Sequence, residues 1–263
     1  MFAIESWLVY SFIFALGLVL GSYLNSWMWR IHEGKYVFLG RSMCVNCSRY
    51  LAWFENIPLV SFLALRGKCR TCKIKIPSSY FFVEFATASL FLFLAMIDVN
   101  AGVAPVRMFR DLFFAALLVV IFVYDAKYGE IVLGVTWLGA AIAAIMNLKY
   151  FGFNFTSLLL GALAGGGFFL LQYLVSKGKW IGGGDMHLGL MMGVLLGWPS
   201  ILVGLFVSYV IGAIVSVGLI LFGKKSMGSR IPLGTFLSIG TLVTLLWGSE
   251  IVKWYLSLIS LPF

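Results

Sequence analysis

Two aspartates are the residues best suited to chemistry. Asp185 follows Gly182, Gly183 and Gly184 at the mouth of an apolar run, and Asp125 ends the apolar run from Ala115 to Tyr124. An ionisable group at a membrane span is expensive, so it marks a candidate functional site. The glycines let a substrate or another backbone approach closely and permit positive φ at a helix start. Either aspartate alone reads as readily as a helix cap or a membrane-edge charge. The pair, with the glycines, favours one site assembled from distant parts of the chain. Two close carboxylates can share one proton, so that one activates water while the other acts as an acid. Such a pair can run acid–base chemistry without a nucleophilic side chain. A serine triad fails on inventory, because the only histidines are His32 and His187. His187 is read as a lipid-interface residue in preference to a donor near Asp185.

A second constellation holds all four cysteines, as Cys44-Val45-Asn46-Cys47 and Cys69-Arg70-Thr71-Cys72. Each C-x-x-C pair can present two thiolates to one ion, and two pairs complete a tetrahedral, closed and therefore structural zinc shell. Arg41, Arg49, Lys68, Arg70, Lys73 and Lys75 would offset the thiolate charge. Redox disulfides and free thiols are the competing readings, and a cytoplasmic setting disfavours the disulfides. About 50 residues make too small a core to be secure alone, so a metal staple suits the segment.

The elements that must position these groups are apolar. The chain is 62% hydrophobic and 11% charged, against roughly 25% charge in soluble domains, and this composition implies a polytopic membrane protein. Runs of spanning or near-spanning length occur at about 7–28, 81–97, 109–124, 131–148, 155–175, 186–198, 200–222 and 233–247. We therefore expect an all-α bundle of about eight transmembrane helices, with a small zinc-binding insertion after the first. The division is 1–29 (first helix), 30–80 (four-cysteine domain) and 81–263 (membrane domain). The first run lacks a basic n-region and a cleavage site, so it reads as a retained span. Ile251 to Phe263 reads as an interfacial tail.

Fifteen of the 19 basic residues fall in the segments 30–80, 125–130, 176–185 and 223–230. This bias places those segments in the cytoplasm and the N-terminus outside. Asp125 and Asp185 then share the cytoplasmic side. The net charge of +9 does not form one amphipathic basic face, so nucleic acid is not an expected partner, whereas membrane lipid is. Asp98 and Asp111, near Arg107 and Arg110, read as solvated interfacial charges. Glu84 is a candidate partner for a basic group of the insertion. Glycines in 161–167 read as close helix packing.

These residues together resemble the bacterial type IV prepilin peptidases. The resemblance rests on Gly21-Ser22-Tyr23-Leu24-Asn25 with Arg30, on Cys44 to Cys72 enclosing Trp53-Phe54-Glu55-Asn56-Ile57-Pro58-Leu59-Val60-Ser61 and Leu65-Arg66-Gly67, and on Tyr80 to Glu84. It extends through Asp125, Gly182-Gly183-Gly184-Asp185 and Ile231-Pro232-Leu233-Gly234-Thr235-Phe236. Two positions depart from the family pattern. His187 stands where a lysine usually follows the second aspartate, and Ile131-Val132 occupies the region of a usual Pro-Asp pair.

The resemblance implies an inner-membrane aspartic endopeptidase that cuts the short basic leader from a prepilin or pseudopilin at the cytoplasmic face. Asp125 and Asp185 would be catalytic, with Gly182, Gly183 and Gly184 leaving room for an extended substrate. It also implies N-methylation of the new terminus with S-adenosylmethionine, for which Gly21, Asn25, Glu55 and Asn56 are the candidate positions. Competing readings are a cation transporter with paired carboxylates and a non-catalytic, zinc-stabilised membrane scaffold. A transporter would place broken helices at mid-depth. The oligomeric state is not readable.

Overall fold

The computed structural model describes residues 2–37, 40–223, 226 and 231–259. Most of the basic loop 223–230 and residues 260–263 of the expected tail lie outside the described residues. The named elements among the described residues are all helical: α1 (Phe2–His32), a 3₁₀ turn (Trp53–Asn56), α2 (Val60–Ala64), α3 (Ser78–Asn100), α4 (Pro105–Tyr128), α5 (Leu133–Tyr150), α6 (Phe155–Ser176), α7 (Gly183–Leu196), α8 (Ser200–Leu221) and α9 (Leu233–Ile259).

Six of these, α1, α3, α5, α6, α8 and α9, are long and apolar enough to cross a bilayer. The other two expected spans are the helices that carry the aspartates. α4 has 24 residues but includes Arg107, Arg110, Asp111, Asp125 and Lys127. α7 has 14 residues, about 21 Å of helix, against a hydrocarbon core of about 30 Å. Both aspartates were expected just outside their helices and lie inside them. The expected break near residue 247 is also absent, since α9 runs on to Ile259. Gly248 is a weak breaker, costing only about 1 kcal/mol relative to alanine.

The chain packs as two units, Met1–Ala116 and Leu117–Phe263. In the first, α1 lies on α3 with almost no gap: a Cβ at Gly17 would stand 2.7 Å from Ala88 Cα, and one at Gly21 would stand 2.9 Å from Glu84 Cα. Asn25 Nδ2 donates to the Tyr80 carbonyl at 3.1 Å. The Glu84 carboxylate takes the Leu59 amide of the insertion at 2.8 Å. Its partner is thus a backbone donor and not the basic side chain considered from sequence.

Asp98 and Asp111 are not solvated. They are 1% and 0% exposed. Arg107 Nε stands 3.8 Å from Asp98 and 3.7 Å from Asp111, and Arg110 donates to Asp111 at 2.7 Å. The connection between α3 and α4 is only four residues long, so it folds these charges onto one another, where they neutralise in place of meeting water.

In the second unit, α7 is the central helix, packed by α5, α6, α8 and α9. Leu188, Met191 and Met192 on it are fully buried. A short helix survives there because protein, not lipid, surrounds it. Gly161 and Gly165 of α6 face Gly193 and Gly189 of α7, and a Cβ at any of the four would strike the facing backbone. This is the close packing that the small residues allow. At the far end, Asn147 Nδ2 donates to the Val194 and Leu195 carbonyls at 2.8 and 3.0 Å. These are among the carbonyls that a helix C-terminus leaves unpaired.

Candidate active site

Asp185 is the third residue of α7 and is 7% exposed. Its Oδ2 accepts the Gly182 amide at 2.9 Å, while its own amide donates back to the Gly182 carbonyl at 3.2 Å. The carboxylate therefore caps its own helix, where unpaired N–H groups and the helix dipole favour negative charge. Its other oxygen has no hydrogen-bond partner among the described residues.

Asp125 lies in the last turn of α4 and is 5% exposed. Its Oδ2 accepts the Thr235 amide at 2.9 Å, and the Gly234 amide reaches the same carboxylate. Those amides belong to the first turn of α9. Asp125 thus caps a helix 110 residues along the chain. Each carboxylate sits against helix N-terminal amides, and neither forms a salt bridge among the described residues.

The two segments meet through Ile131. A Cβ at Gly184 would lie 2.9 Å from Ile131 Cβ. A Cβ at Gly234 would lie 2.8 Å from Asp125 Oδ2 and 3.3 Å from Ile131 Cδ1. One isoleucine therefore touches the backbone beside Asp185 and the backbone that holds Asp125. Of the three glycines before Asp185, only Gly184 is hemmed in, since nothing stands within 4 Å of a Cβ at Gly183. His187 faces elsewhere: its ring packs on Trp137 of α5 at 5.5 Å. Two residues along a helix is about 200° of rotation, which takes it away from Asp185.

Sequence reasoning missed three participants here: Ile131, Gly234 and Thr235. The signal for the last two was Ile231-Pro232-Leu233-Gly234-Thr235, a proline followed by an apolar run. Such a pattern marks a helix start with unpaired amides.

The four cysteines converge. Their Sγ atoms all lie within 4.8 Å of one another, and Cys44 and Cys72 are 3.8 Å apart. Tetrahedral coordination with metal–sulfur bonds of about 2.3 Å puts sulfurs about 3.8 Å apart, so the cluster can hold a metal ion. The two knuckles repeat each other at an offset of 25 residues. Cys44 and Cys69 amides donate to Arg49 and Ile74 carbonyls, both at 2.9 Å. Ser48 and Lys73 share φ of 55° and 57°. Met43 pairs with Tyr50 as Lys68 pairs with Lys75. The amides of Cys72 and Thr71 pull the Cys69 thiol down to about 6, while, against the pull of the Arg49 amide, burial and the neighbouring thiols push Cys47 up to about 11.

Arg49 joins this domain to its 3₁₀ turn. It donates to both oxygens of Glu55, at 2.8 and 2.9 Å, and the Ala52 amide adds 2.8 Å to Oε2. The guanidinium, aided by that amide, holds Glu55 at about 2 against an ordinary 4.5. The unfolded chain takes up this proton first as pH falls. The stabilisation is therefore complete above about 4.5 and is lost progressively towards about 2. We expect the thermal midpoint of the wild type to fall more steeply than that of Glu55→Gln between pH 5 and 2, measured by differential scanning. Parallel curves would refute this. Asn56 Nδ2 donates to the Ala52 carbonyl at 3.4 Å.

Comparison with known proteins agrees with the geometry. Residues 15–97 match the Bacterial Peptidase A24 N-terminal domain, and residues 112–217 match the Type IV leader peptidase family. Relatives called prepilin leader peptidase/N-methyltransferase occur in Aeromonas hydrophila (29% identical, 95% of each chain covered), Bacillus subtilis (30%; 94% of this chain, 98% of the relative) and Pseudomonas aeruginosa (31%; 92% and 91%). No solved structure matches at a significant level. Six spanning-length helices, two buried carboxylates on helix N-termini and near full-length similarity lead to one conclusion: the chain is a multi-pass membrane protein that belongs to the type IV leader peptidase family.

Proposed function

We propose that the chain is a membrane aspartic endopeptidase that removes the basic leader from a type IV prepilin or pseudopilin, with Asp125 and Asp185 as its catalytic pair. The observation that carries the reading is the pair of buried carboxylates, each held by helix N-terminal amides with no salt bridge among the described residues, and joined across Ile131. Two such groups at short range hold one proton between them. The ionised member takes a proton from water as the water oxygen attacks the scissile carbonyl carbon. The protonated member donates to the carbonyl oxygen, and on collapse the carbon–nitrogen bond breaks with a proton delivered to the leaving amine. The substrate is unwound here, because a helical amide is shielded by its own hydrogen bonds. The open space at Gly183 suits an extended strand.

The Lys and Arg bias supports a cytoplasmic-facing site in an inner membrane, with the N-terminus outside. The working division is 1–29, 30–80 and 81–263, with Cys44, Cys47, Cys69 and Cys72 holding a structural zinc in the middle part. The donor set and sulfur spacing fit zinc, which would supply folding energy and no catalytic step. We expect about one zinc per chain by elemental analysis. Cys44→Ser, or chelation, should open the insertion to proteolysis, because structural zinc supplies about 10–16 kcal/mol in small domains. Metal-free protein with a protease-resistant insertion would refute the assignment.

N-methylation joins the proposal on the names of the relatives, and S-adenosylmethionine as its methyl donor on the family resemblance alone. Gly21, Asn25, Glu55 and Asn56 do not fit a cofactor cradle. Gly21 is filled by Glu84, Asn25 is spent on Tyr80, Glu55 is clamped by Arg49, and Asn56 bonds the local backbone. No methyl-transfer step is assigned to them. The test of the peptidase reading is mass spectrometry of a purified prepilin after incubation with the reconstituted protein. Loss of the leader at one bond is the expected result, and an intact prepilin would overturn the reading.

A further inference from the structure

A polar pair, Gln172 on α6 and Tyr209 on α8, stands near the level of Asp185, and the proposed reaction does not use it. Gln172 Nε2 of α6 donates to the Tyr209 hydroxyl of α8 at 3.2 Å, and that hydroxyl lies 3.4 Å from Gln172 Oε1. The Tyr209 ring is fixed edge-on against Phe168 at 5.8 Å. Tyr209 is 38% exposed, beside exposed Phe206 and Val210.

The register of α6 against α7 gives the level. The helices run antiparallel, with Gly165 against Gly189 and Gly161 against Gly193. Further along the same register, Phe169 falls opposite Asp185, and Gln172 lies about one turn beyond Phe169, near the level where α7 begins.

A glutamine amide offers two donors and two acceptor sites. The contact with Tyr209 uses only part of that capacity, and unused polar capacity at an apolar face is costly. An unwound peptide entering such a site has the complementary need. Its N–H and C=O groups have left a helix and find no water to replace those bonds.

We propose that Gln172 binds a backbone amide group of the unwound substrate beside Asp185, and that Tyr209 is a positioning residue that fixes the glutamine amide. Gln172 would accept a substrate N–H at Oε1 and donate to a substrate carbonyl through Nε2. The inference rests on the peptidase reading and adds a subsite to it.

The test uses the full-length protein in proteoliposomes and a prepilin peptide. Gln172→Leu should lower kcat/KM by about 10- to 100-fold, the loss of one or two buried hydrogen bonds, mainly through KM. Tyr209→Phe should lower it by about 3- to 10-fold in the same manner, with thermal midpoints unchanged in both. N-methyl groups walked along the substrate amides near the cut bond supply a readout that a structural role would not move. One position should weaken the wild type strongly and the Gln172→Leu protein hardly at all. Equal sensitivity of both proteins at every position overturns the proposal, as does a lowered thermal midpoint with unchanged KM. Asp185→Asn separates the two levels. If it cleaves near the wild-type rate, the assignment of the aspartate pair falls and takes the subsite beside it along. If it is inactive while Gln172→Leu matches the wild type, only the subsite falls.

Discussion

Asp125→Asn and Asp185→Asn should each cut prepilin processing by about 100- to 10,000-fold, the usual worth of a positioned general acid or base, while leaving the protein folded. The second half of that expectation comes from the capping geometry. Asparagine is as good a helix cap as aspartate. The carboxamide oxygen in each variant can therefore still accept the Thr235 or Gly182 amide that the carboxylate accepts now. What disappears is the charge and the shared proton. The double variant should be little worse than either single one, because groups that act as a unit are not additive. Steady-state cleavage in proteoliposomes, with a thermal midpoint for each variant, measures all of this. Processing near the wild-type rate by either single variant would remove the aspartic mechanism. Cation flux in the absence of prepilin would favour the transporter reading.

The same geometry explains what the sequence could reveal. A lone aspartate at the end of an apolar run reads equally as a cap or as a reactive group, and here both aspartates are caps. Capping leaves Asp185 with one oxygen free, so the two readings do not exclude each other. The apolar runs gave most helices within a few residues, as with 155–175 against Phe155–Ser176. They did so because a lipid-facing helix must be apolar along its length. The pattern failed where protein replaces lipid as the surroundings. α7 needs no spanning length at the centre of its unit. Asp98 and Asp111 bury because two arginines lie against them across a short turn. That is a fact of tertiary proximity that no local charge count contains. The convergence of the four cysteines was expected from two C-x-x-C pairs, because that spacing fixes the local geometry of each pair. The clamp of Arg49 on Glu55 was not, although both residues lie between the two cysteine pairs.

Gly184→Ala should reduce cleavage by about 100-fold, and only one kind of second change should restore it. The new Cβ would stand 2.9 Å from Ile131 Cβ, and neither atom is the end of a flexible chain. The first turn of α7 must therefore shift by several tenths of an ångström to about 1 Å. Asp185 is the next residue along that turn, and a misplacement of about 1 Å costs about 100-fold. Ile131→Ala keeps the clashing atom and should not rescue. Ile131→Gly removes it and should recover most of the lost activity, at a stability cost of about 0.5–1 kcal/mol relative to alanine for the added backbone freedom and a further cost for the lost side-chain packing. Gly234→Ala is the control. Its Cβ would press on Asp125 Oδ2 at 2.8 Å, so Ile131→Gly should leave that variant inactive. Rescue of both glycine variants, or of neither, would mean that Ile131 is not the wedge between the two aspartate-bearing segments. Rescue of Gly184→Ala alone would show that the residue standing in the region of the family's usual Pro-Asp pair sets how closely the two carboxylates can approach a substrate.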